Sequence, residues 1–184
     1  MRYLIGLVIF ILLIIFLIIK LLSGGGGSKP DLPPSLASYA HTATTVRYII
    51  DNPVQAPQNH NDIVIQVGSS SADIKITRGY NGDIVKQQSF PMTDAAYENF
   101  LLSLDHSGGY TRGDNNAALQ DERGYCANGN RYIYDIVAGD GSLIQHYWST
   151  SCKEKTFKGL PDVVATLFEA QIPDFEDYTA DVQF

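Results

Sequence analysis

Hydrophobic and polar positions along this chain fall into three regimes. From Tyr3 to Ile19 the sequence reads YLIGLVIFILLIIFLII, with no charge and no proline. Adding Lys20, Leu21 and Leu22 brings the run to about the 20 residues a helix needs to cross a bilayer core. Ile, Leu, Val and Phe cover every face of such a helix, so no polar stripe is left to turn toward water. The run is longer than the apolar core of a cleavable signal peptide, and the KLLSGGGG that follows has no A-x-A pattern. The expectation is an uncleaved anchor over residues 1–22, with the lipid bilayer as its partner through residues 3–22. Residues 23–35, SGGGGSKPDLPPS, pair a flexible glycine half with a stiffer proline half and read as a linker.

Beyond the linker the pattern changes to period two. Thr44–Ile50, Asp62–Val67 and Ala72–Thr77 read as strands, the last alternating Ile74 and Ile76 against Asp73 and Lys75. Asn81-Gly82 and Asp140-Gly141 are each predicted as a two-residue type I′ hairpin turn. The first leads into a strand over residues 83–90, and the second joins strands over residues 131–137 and 142–148. Between them Tyr97, Phe100, Leu101 and Leu104 keep helical spacing, with Thr93 as N-cap and Asp94 in the first turn. A second helix starts near Pro161, carries Val164, Leu167 and Phe168, and stops before Pro173. Four strands, a helix, two strands and a helix define an α+β domain over residues 36–173, a small antiparallel sheet with two helices on one face. The acidic tail, residues 174–184, is predicted to pack poorly.

The only two cysteines flank the second hairpin. Folding the chain at Asp140-Gly141 brings Cys126 and Cys152 near one another on neighbouring arms, about the separation a disulfide tolerates. With no second cysteine pair and no histidine at a metal-ligand spacing, a zinc site is not expected. A disulfide implies an oxidising compartment, so the domain is expected outside the cell membrane and the N-terminus in the cytoplasm. Beyond Leu22 lie 20 acidic against 11 basic residues, a formal −9. That charge excludes nucleic acid as a partner, since phosphates need a basic footprint.

The same fold of the chain sets Asp135 opposite His146, Tyr134 opposite Tyr147 and Ile133 opposite Trp148. A carboxylate beside an imidazole is half of a hydrolytic relay, and equally an ordinary cross-strand ion pair. Neither GSSS nor WSTS is a nucleophile elbow. The loop carboxylates Asp114, Asp121 and Glu122, with Asn116, offer calcium-type oxygens. Counting from Asp114, however, the twelfth position is Tyr125, where an EF-hand needs Glu. No catalytic residue, metal or cofactor is assigned. Arg112-Gly113-Asp114 is a tripeptide expected by chance. Tyr110, Tyr125, Tyr132, Tyr134, Tyr147 and Trp148 are the candidate binding residues, because tyrosine and tryptophan anchor many interfaces. Hairpin packing uses the same residue types.

Three segments, GYNGDIVKQQSFPMTDAAYENFLLSLD from Gly79, DERGYCANGNRYIYDI from Asp121 and HYWSTSC from His146, resemble uncharacterised membrane-anchored extracytoplasmic domains of small-genome candidate-phylum bacteria. The resemblance implies a bacterial envelope protein and carries no activity with it. The function expected from the sequence is a non-enzymatic binding or scaffolding domain with an envelope protein or glycan partner. The alternatives are an envelope hydrolase using Asp135 and His146 or the loop carboxylates, and a hydrolase inhibitor presenting residues 107–113.

Overall fold

The computed structural model describes residues 35–116 and 119–182. The predicted anchor, and the linker as far as residue 34, lie outside the described residues. Among the described residues no helix is long and apolar enough to cross a membrane.

Alternating sequences become strands where the structure can bury one of their faces. Strands β1 (Thr45–Asp51), β2 (Asn61–Val67), β3 (Ser71–Arg78) and β4 (Asp83–Pro91) precede helix α1 (Asp94–Ser103). Strands β5 (Arg131–Val137) and β6 (Leu143–Thr150), helix α2 (Pro161–Glu169) and a short helix α3 (Phe175–Thr179) follow. All six strands join one antiparallel sheet in the order β4-β3-β2-β1-β5-β6. The α+β expectation therefore holds, with β5 added beside β1 and β6 at the sheet edge beyond it.

The cross-strand row Tyr134, Tyr48, Ile65 and Ile74 shows how the core is built. All four are buried, and Phe168 of α2 packs on Tyr48 with ring centres 5.5 Å apart. Phe100 of α1 meets Phe168 edge-on at 5.2 Å. Helix α1 is also tied to the sheet, because the Tyr97 hydroxyl donates to the Thr44 carbonyl at 2.8 Å. The Thr93 hydroxyl accepts from the Ala96 amide, as an N-cap should.

Both hairpins form, but neither turn is of the predicted type. At the second, Gly141 takes positive φ while Asp140 does not, and Ala138 donates to Ser142. The loop has three residues, and a bulge at Ile144 restores the register. At the first, the loop runs from Gly79 to Gly82 with positive φ at those two glycines and not at Asn81. Glycine has no Cβ to clash in the left-handed region, so positive φ in both turns falls on glycines alone, and Asp140 and Asn81 keep ordinary φ.

Two further expectations need correction. The tail is packed: Thr179 is buried, while Phe175, Tyr178 and Val182 lie against the core. Lys86 of β4 holds it through the Tyr178 carbonyl and Asp181. Residues 107–113, which the inhibitor alternative would present, do not stand free either. Gly113 pairs with Phe157, and a Cβ on Gly113 would sit 2.3 Å from the Tyr147 ring. Gly108, Gly109 and Tyr110 are buried, so the stretch from Ser107 to Gly113 is docked along much of its length.

Candidate functional site

On β1 the even positions Val46, Tyr48 and Ile50 face the core, and the odd positions face the other way. Register then lays out rows across that second face. One row is Arg47, Asp135 and His146, from β1, β5 and β6. The predicted opposition of Asp135 and His146 is correct, as are those of Tyr134 with Tyr147 and Ile133 with Trp148.

Asp135 is 1% exposed, and both its oxygens are taken. Arg47 donates to Oδ2 through Nε at 3.1 Å and also through Nη2, and His146 Nδ1 reaches Oδ1 at 2.7 Å. The other imidazole nitrogen, Nε2, lies 3.1 Å from Glu122 Oε2. Hydrogen bonds from Asp135 and Glu122 outweigh burial and push His146 up to about 9. Burial acts to raise Glu122, but the His146 hydrogen bond overcomes it and the carboxyl ends below its ordinary range. His146 is thus an imidazolium clamped between two carboxylates at neutral pH. Such a group has no lone pair to act as a base. Beside it is an open depression of about 670 Å³ lined by residues 120–123, Leu143 and His146.

This linkage has a sign. The folded pKa of His146 lies above its ordinary 6.5, so its stabilisation is complete below pH 6.5 and is lost as pH rises through about 9. We expect the thermal midpoint to fall across that window and the fall to shrink in His146→Gln. Differential scanning calorimetry at stepped pH checks this, and a midpoint indifferent to His146 in that range contradicts it.

Of the six candidate aromatic residues, four are buried. Tyr110 donates to the carbonyls of Arg47 and Asp135 at 2.7 and 3.0 Å. The Tyr134 hydroxyl pairs with Ser149 at 2.9 Å, and Tyr147 donates to Asn115 Oδ1 at 2.9 Å. Trp148 Nε1 donates to the Leu119 carbonyl at 2.7 Å, and half-buried Tyr125 lies over the indole with centres 4.8 Å apart. The segment between α1 and β5 therefore roofs part of the second face, which alternation along single strands does not reveal. Two of the carboxylates that suggested calcium close local turns: Asp114 accepts from the Asn116 amide, and Asp121 accepts from the Arg123 amide and guanidinium.

Tyr132, half-buried, opens onto a different feature. With Tyr48 and Ile50 it floors a cavity of about 360 Å³ walled by Asp162, Ala165 and Glu169 of α2 and by Phe175. A second depression, about 420 Å³, shares Glu169 and Phe175 and adds Asp174, Glu176 and Asp177. Burial, and then the neighbouring Glu176 charge, raise Glu169 above its ordinary range. Five carboxylates thus border an apolar floor, and the described residues lining the two depressions include no Lys, Arg or His. Asp162 and Glu169 stand seven apart, on one face of α2, a spacing visible in the sequence. The floor and the outer wall were not visible there, because they need β1, β5 and a packed tail.

Comparison with known proteins finds no family model that matches this chain and no match among curated proteins.

Proposed function

We propose that this protein is a single-pass, membrane-anchored binding domain displayed outside the cell membrane, and that its acidic groove takes a basic, amine-bearing segment of an envelope partner. The apolar run over residues 3–22, whose one charge is Lys20 near its end, supports the anchor. The Cys126–Cys152 disulfide supports an oxidising compartment.

The groove beside α2 carries the ligand class. Its five carboxylates have no cation among their lining partners, and two of its floor residues are tyrosines. A ligand ammonium would relieve the repulsion between Glu169 and Glu176 and lie over aromatic faces that attract cations. Its alkyl stem would cover the apolar floor.

The test is fluorescence anisotropy of a labelled lysine-rich peptide against the full chain in mild detergent. Saturable binding that weakens with salt is expected, with a loss of about fivefold or more in Asp162→Asn/Glu169→Gln. Binding indifferent to both substitutions, or preference for a neutral oligosaccharide, overturns the reading.

A further inference from the structure

A second row crosses the same face of the sheet one apolar row away from Asp135. It runs Arg131, Asp51, Asp62 and Thr77, on β5, β1, β2 and β3. Two aspartates stand directly opposite one another in this row, an arrangement that is unfavourable unless something positive lies between them. His60, the residue before β2, places its ring there and is 3% exposed.

The imidazole geometry decides what that something is. His60 Nδ1 lies 3.3 Å from the Pro53 carbonyl, which can only accept, so Nδ1 carries the proton. In the neutral ring the lone pair is then on Nε2, and Nε2 faces Asp62 Oδ1 at 3.3 Å and Asp51 Oδ1 at 3.6 Å. Both of these carboxylate oxygens are buried and have no hydrogen-bond partner. A protonated Nε2 would draw one of them to about 2.7–2.9 Å. His146 Nδ1 makes such a contact with Asp135 Oδ1, at 2.7 Å. His60 does not.

We propose that Asp51, His60 and Asp62 form a site for a divalent cation of the zinc class, bound through Asp51 Oδ1, His60 Nε2 and Asp62 Oδ1. Zinc bonds of about 2.0–2.1 Å at tetrahedral angles hold neighbouring donors about 3.3–3.4 Å apart. The two spacings from Nε2 match that edge, and no two of the three donors are more than 4.8 Å apart. An imidazole with two carboxylates suits zinc chemically and leaves one position for water or a ligand carboxylate.

The outer contacts are those of a metal site. Arg131 Nη2 holds Asp51 Oδ2 at 2.7 Å, and Thr77 donates to Asp62 Oδ2 at 3.4 Å, so each carboxylate keeps its other oxygen turned inward. The Pro53 carbonyl fixes the ring tautomer, as such partners do for metal-bound histidine. Tyr80 stacks on the ring with centres 4.3 Å apart. Asp62, whose side chain is 26% exposed, gives the ion its way in. The bound ion would tie the segment between β1 and β2 to the sheet.

The test uses the full chain, made without a polyhistidine tag, stripped with chelator in mild detergent and titrated with zinc ion. One equivalent binds, and cobalt ion at the same site gives the intense visible absorption of four-coordinate geometry. The isosteric variant Asp62→Asn keeps its circular dichroism and loses affinity by about tenfold or more. His41→Gln, which alters an exposed histidine away from these donors, binds as the parent does. No zinc uptake by the folded parent, or uptake unchanged in Asp62→Asn, overturns the proposal.

Discussion

Asp135→Ala is expected to destabilise the domain by about 3 to 5 kcal/mol, the cost of leaving buried charge without its partner. Arg47 and His146 would be left as two neighbouring cations sharing no anion between them, Glu122 remaining on the far side of the ring. For a domain of this size that is a fall of about 10 °C or more in thermal midpoint. Asp135→Asn, which keeps an acceptor and loses the charge, should fall between the two. In that variant His146 loses the strongest of the interactions that raise it, so its titration moves back toward 6.5. Calorimetry checks the first statement, and NMR titration of the imidazole checks the second. A midpoint within about 2 °C of the parent in Asp135→Ala would mean that the row contributes little, as exposed ion pairs do.

Removing the disulfide is expected to cost nearly as much. Cys126 and Cys152 are 26 residues apart in sequence and close the open end of the β5–β6 hairpin, just beyond the last paired residues Arg131 and Thr150. A loop of that length restricts the unfolded chain by about 3.5 kcal/mol in the chain-entropy account. The double variant Cys126→Ser/Cys152→Ser should unfold at a correspondingly lower urea concentration with an unchanged fold below the transition. Equal urea midpoints for parent and variant would show that the hairpin is held without it. The lost constraint should be felt first at Tyr125, whose ring covers Trp148 and whose chain neighbour is Cys126.

Much of this architecture is legible in the residues. Alternation located all six strands to within a residue or two, and the spacing of Tyr97, Phe100 and Leu101 located α1. The pairing of Asp135 with His146 followed from a hairpin signal even though the turn has three residues, because the bulge at Ile144 compensates the extra one. What the aromatic residues do was less legible. Tyr134 and Trp148 alternate as strand residues must, but period two says only that they face opposite ways. It does not say that a covering segment, Leu119 and Tyr125 included, buries the second face as well. The acidic tail misled for a related reason: its charges line a groove and its Phe175, Tyr178 and Val182 carry the packing.

By itself, then, the sequence determined where the six strands and the two longer helices lie, which strands pair across the two hairpins, and where the two cysteines meet. These depend on contacts a few residues apart, where backbone propensity and turn chemistry decide. Only the tertiary structure decided that β5 lies beside β1, setting Arg47 against Asp135 across 88 residues of chain and Arg131 against Asp51. On the other edge of β1, the pairing with β2 set Asp51 opposite Asp62 and, with the segment between the two strands, brought His60 to them. Non-local pairing is selected by burying whole sheet faces at once, a property of the assembled layers that no local stretch of residues carries.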